Sequence, residues 1–100
     1  MDENKIQEIL KDFRKEIDNL DDEIVALLAK RLQVIDNVAR VKLENNIDPH
    51  LQDRIDEVVN RNADLAKNLG ADFELIKSLY VQIVDNAIAR ETKYIKDNSK

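Results

Sequence analysis

A heptad stripe over the first forty residues constrains this chain more than any other feature. Apolar residues recur at Ile6, Leu10, Phe13, Ile17, Leu20, Ile24 and Leu27, then at Val34, Val38 and Val41, in steps of 4, 3, 4, 3, 4, 3, 7, 4 and 3. That spacing puts them on one face of a long α-helix packed along its length. Val25, Leu28, Leu32 and Ile35 widen the stripe to a bundle-type face. About forty helical residues rising ~1.5 Å each span roughly 60 Å. A compact chain of this size has a radius of gyration of only ~13 Å. The rest of the chain is too short to cover such a stripe, so the pattern predicts a dimer with the long helices in a shared core.

The punctuation agrees with an all-α chain. There is one Gly and one Pro in 100 residues, which argues against a sheet with tight turns. Asn45 and Asn46 suit a helix end, and Asp48-Pro49 reads as an N-cap followed by proline at the first helical position. Gly70 suits the left-handed residue after a helix, and Asp72 the next N-cap. These breaks predict three helices, roughly 4–44, 49–69 and 72–97, in a single domain over 1–100. Residues 96–100, KDNSK, are expected to fray.

Composition narrows the chemistry. Without Cys there is no disulfide framework or thiolate metal site, and the single His50 argues against a zinc-hydrolase site or a Ser-His triad. His50 itself reads as an exposed first-turn residue. The lack of Gly excludes a Gly-rich phosphate loop. A net charge of -5 argues against nucleic-acid binding. No apolar run approaches the ~20 residues of a membrane span, and MDENKIQEIL has no signal-peptide character. The expectation is a cytoplasmic helical protein with no metal or cofactor.

Charges within the apolar stripes are the candidate functional residues, because an unpaired buried charge costs several kcal/mol. Arg31 fills the gap in the first stripe. Lys42, eleven residues on, lies about 20° from the same meridian and ~16 Å further along the axis, so the two could grip one small anion. Arg14 points about 100° away from Arg31 and is better placed to enter a partner's pocket. The second segment shows Leu51, Ile55, Val58, Asn62, Leu65 and Leu69 on one face, with Arg54 at its edge. The third shows Phe73, Ile76, Tyr80, Ile83 and Ala87, with Phe73 and Tyr80 read as core, and the next position of that stripe is Glu91. A purely structural alternative pairs Arg31 with Glu91 as a buried salt bridge that sets register.

The string FRKEIDNLDDEIVALLAKRLQVIDNVARVK resembles the first helix of the AroQ-class, all-helical chorismate mutases. The shared pattern is carried by Arg14, Ile17, Leu20, Asp21, Arg31 and Lys42, and the resemblance extends over about 10–96. The sister branch, the isochorismate pyruvate lyases, is also similar, particularly to the tail SLYVQIVDNAIARETKYI. The resemblance implies three helices per chain, intertwined as a homodimer with two active sites, and Arg14 crossing to the partner's site. It implies that Arg14, Arg31, Lys42 and Arg54 bind a small anionic substrate, chorismate or isochorismate, beside Ile55 and Ala87. Lys42 and Glu91 would act on the ether oxygen.

Two departures pull in opposite directions. The bacterial mutases usually follow the second-helix Arg with Glu, whereas Ile55 follows Arg54 here, as in the lyase branch, and Leu51 replaces a common acidic residue. Both bacterial branches usually carry Gln where this chain has Glu91, which resembles the fungal mutases. Chorismate mutase is the leading expectation. Isochorismate pyruvate lyase, 4-amino-4-deoxychorismate mutase and a non-catalytic dimerisation module are the alternatives.

Overall fold

A computed structural model describes residues 1–99. It is all-α: helix α1 spans Glu3–Glu44, α2 spans Gln52–Asn68 and α3 spans Phe73–Asn98. None of these helices is long and apolar enough to cross a membrane. The chain divides into two compact units, Met1–Gln33 and Val34–Lys100.

Helix ends follow local chemistry. Asp2 caps α1, its carboxylate accepting from the Lys5 amide at 2.8 Å. At the other end Asn46 takes a left-handed φ of 54°, and the Ile47 amide reaches back to the Lys42 carbonyl at 2.9 Å. Asn45 Nδ2 donates to the Val41 carbonyl, satisfying another terminal acceptor. Gly70, with φ 74°, ends α2 in the same way, the Ala71 amide donating to the Ala66 carbonyl at 2.8 Å. Both are Schellman ends, and they fall where the two punctuation points predicted. Asp72 caps α3, accepting from the Leu75 amide as expected.

Four expectations are corrected. Helix α2 starts at Gln52, not at 49, and its N-cap is Leu51 without a side-chain bond. Asp48 accepts instead from the His50 amide at 2.7 Å, closing its own turn, and Leu51 is extended ahead of the helix. His50 is therefore exposed, as read, but precedes the helix. The buried face of α2 is also different: Val59, Ala63 and Ala66 are buried, while Leu51, Leu65 and Leu69 are exposed. Small side chains let α2 and α3 approach closely, and the larger leucines are left at the margin. Finally, Phe73 and Tyr80 are half-buried rather than core, and α3 holds its form through Asn98 instead of fraying from 96. Of the fraying segment, Lys100 lies outside the described residues.

The core of Val34–Lys100 is made of small groups: Ala39, Val59, Ala63, Ala66, Val84 and Ala87. Asn62, polar within the α2 stripe, satisfies its amide on the Val58 carbonyl of its own helix. In Met1–Gln33 the heptad stripe stands open, with Phe13 and Leu27 each 64% exposed and Leu20 57%.

Candidate active site

Helix α3 buries Val84, Ala87 and Glu91 on one face, in steps of three and four. The third member is a carboxylate only 4% exposed. The C-terminal turns of α1 bring Lys42 to it, with Nζ 2.7 Å from Glu91 Oε1. Lys42 also donates to the Pro49 carbonyl at 3.1 Å, which ties it to the loop between α1 and α2. Glu91 Oε1 makes no well-aligned hydrogen bond, so the ammonium contact is its compensation for leaving water. A buried pair of this kind contributes little stability and is costly to break from one side. It puts a cationic donor and a carboxyl group within one small volume, next to the apolar Ala87, which suits handling charge on a small anionic molecule.

Two steps along α3 from Ala87 is Ala89, and next to it Arg90 makes a second attachment to α1. Its guanidinium donates from Nε to Asp36 Oδ1 at 3.2 Å and from Nη2 to Oδ2 at 2.9 Å. Asp36 raises the Arg90 guanidinium above its ordinary value, first through the hydrogen bond and second by charge attraction. Arg90 therefore stays charged across the ordinary pH range, because a cation raised by its partner keeps its proton to still higher pH.

The sequence-predicted residues separate into groups. Lys42 and Glu91 pair, and Ala87 is buried one turn before Glu91 on α3. Within Val34–Lys100 the partner of the Glu91 carboxylate is Lys42. Arg31 is half-buried and Arg14 exposed, and neither makes a salt bridge among the described residues. Arg54 is exposed, not semi-buried, and pairs with Glu57 one turn along α2. Ile55 lines a separate cleft of about 410 Å³, with His50, Asp56, Lys77 and Asp85. Among the described residues no group of three or more His, Asp or Glu is placed to hold a metal ion.

Sequence reasoning missed the Pro49 carbonyl, Asp36 and Arg90. The partners Asp36 and Arg90 are 54 residues apart, so no periodic signal links them. Only their opposite charges, each next to a stripe position, gave a hint.

The sequence is similar to known proteins. The chorismate mutase type II family matches residues 13–92. The T-protein of Haemophilus influenzae is 30% identical over 87 residues, covering 87% of this chain and 23% of that protein. A bifunctional chorismate mutase/prephenate dehydratase of Buchnera aphidicola is 32% identical over 84 residues, covering 84% of this chain and 22% of the other. A protein of the same name from Aquifex aeolicus is 32% identical over 89 residues, covering 86% and 25%. The chain thus spans about a quarter of the length of these relatives. No solved structure is significantly similar. With the family pattern running through all three helices, the chain belongs to the chorismate mutase type II family.

Proposed function

We propose that the chain is a chorismate mutase, converting chorismate to prephenate by an intramolecular Claisen rearrangement. The observation that carries this reading is the buried Lys42–Glu91 pair in a chain that the family matches over 13–92. The reaction needs no nucleophile. The protein has to hold the enolpyruvyl arm over the ring and stabilise charge on the ether oxygen as its bond breaks. In this proposal Arg31 and Arg14 of a second copy grip the two carboxylates, since Arg favours two-pronged contacts. Lys42 donates to the ether oxygen and one carboxylate. Arg54 turns from Glu57 to line the site and offset substrate charge, and Ile55 and Ala87 provide apolar contacts. The proposal treats 1–100 as one domain and places it in the cytoplasm.

Glu91 has two states in this cycle. In the substrate-free chain its carboxylate is balanced by Lys42 at 2.7 Å. When an anionic substrate takes over Lys42, Glu91 has to carry a proton to face the ether oxygen as a donor. Glu91→Gln, which keeps a donor there and carries no charge, is therefore expected to retain chorismate turnover, and Glu91→Leu to lose it. Equal turnover in the two variants removes Glu91 from the role.

The homodimer belongs to the same proposal. Its support is the open stripe on α1, where Ile17, Leu20, Ile24 and Leu27 are all more than half exposed. The deciding experiment incubates purified protein separately with chorismate, isochorismate and 4-amino-4-deoxychorismate. Prephenate from chorismate supports the reading. Salicylate and pyruvate from isochorismate, or turnover of the amino compound alone, overturns it in favour of the corresponding activity. No turnover of any of the three favours a non-catalytic dimerisation module.

A further inference from the structure

We propose that the Asp36–Arg90 ion pair is a positioning device that aligns Lys42 against Glu91, an inference that rests on the mutase reading for its kinetic consequences. Arg90 and Glu91 are adjacent on α3, and their partners Asp36 and Lys42 are six residues apart on α1. Two attachment points ~9 Å apart along α1 fix its rotation as well as its distance from α3. A single attachment would leave α1 free to swivel about it. Ala39, midway between Asp36 and Lys42, is 1% exposed, so these three positions form the face of α1 that is drawn in. The guanidinium fork matters because two parallel donors set an orientation, where one ammonium contact sets only a distance.

Exposure separates this role from a structural one. The side chains of Arg90 and Asp36 are 44% and 56% exposed. Ion pairs at such exposure contribute little to stability and are screened by salt. Lys42 and Glu91, by contrast, are 15% and 5% exposed and sit where a small displacement changes the contact to a reacting atom. Loss of the outer pair should therefore leave the melting temperature in place and lower turnover.

The experiment compares the full chain with Asp36→Asn, Arg90→Gln and Arg90→Lys. Arg40→Gln serves as the control, since it removes another exposed ion pair on α1, with Glu44. We expect kcat on chorismate to fall about tenfold in Asp36→Asn and Arg90→Gln, with KM and melting temperature little changed. Arg90→Lys, which keeps the charge and loses the fork, should fall between them and the wild type, and Arg40→Gln should match the wild type. Acylation of Lys42 by acetic anhydride, followed by mass spectrometry, reads its environment without any turnover. Lys42 should label more readily in Asp36→Asn and Arg90→Gln than in the wild type or Arg40→Gln. Unchanged Lys42 labelling, unchanged kcat in an active enzyme, or a fall in kcat that follows melting temperature or recurs in Arg40→Gln overturns the proposal. A wild type inactive on chorismate defeats the mutase reading alone, and the labelling comparison then decides the positioning role.

Discussion

The two compact units of this chain use apolar residues in opposite ways. In Met1–Gln33 the large side chains Phe13, Ile17, Leu20, Ile24 and Leu27 lie open along one helix. In Val34–Lys100 the buried apolar groups are alanines and valines, and larger leucines such as Leu65 and Leu69 remain outside. The second arrangement is what helices use to pack closely on one another within a chain. The first is what a helix presents to another long helix, because heptad spacing matches a seam rather than a compact core. A lone helix of that length is marginal in water without packing on its apolar face. The difference is that Val34–Lys100 contains its own core, whereas Met1–Gln33 leaves its apolar stripe uncovered.

The largest test of that contrast is Leu20→Lys, which places a charge in the open stripe of Met1–Gln33. If the stripe is a dimer seam, sedimentation should show monomers and chorismate mutase activity should fall below detection. A variant that keeps its mass and its activity breaks the comparison, because the stripe would then be an unused surface.

Next in size is Lys42→Ala in the second unit, which removes the proposed donor to the ether oxygen. A lost donor of this kind costs about 10²–10³-fold in kcat. The dimer should survive, so sedimentation and kinetics together separate the seam from the chemistry.

Glu91→Leu sharpens the account of the second unit's core. Melting should show whether Glu91 is kept for chemistry or for stability. Removing one member of a buried pair normally destabilises, but Lys42 is 15% exposed and keeps its bond to the Pro49 carbonyl. The released ammonium can therefore turn toward water, and the loss of stability is expected to stay below the ~3–5 kcal/mol typical of breaking a buried pair from one side. Activity should be lost. A large fall in melting temperature would instead make the pair a structural element.

The smallest effect is expected for Gly70→Ala. The added methyl would meet no atom within 4 Å, so its cost is only that of a left-handed φ, about 1–2 kcal/mol. Thermal unfolding should show that loss with kcat unchanged, because the position closes α2 far from Lys42 in the chain.

Local periodicity made much of this fold legible. The two Schellman ends and the Asp72 cap depend on a few neighbouring residues, so Asn46, Gly70 and Asp72 could be read directly. Glu91 could be recognised as a carboxylate on an apolar face for the same reason, since a stripe is a property of one helix. The start of α2 was misread because Asp48 has two local uses, and the turn to His50 prevailed over a helix cap. The face of α2 was misread because a leucine counts more than an alanine in an apolar pattern, whereas close packing selects the smaller side chain.

By itself, then, the amino-acid order determined three helices, their ends apart from the start of α2, an apolar heptad stripe on the first helix and the set of charges out of place on apolar faces. These follow from interactions between residues a few positions apart. Which charges meet was decided only by tertiary structure. Lys42 reaches Glu91, Pro49 lends its carbonyl, and Asp36 finds Arg90 across 54 positions. Such pairings depend on how helices are set against one another and how far each side chain reaches. Periodicity along a single helix carries neither quantity.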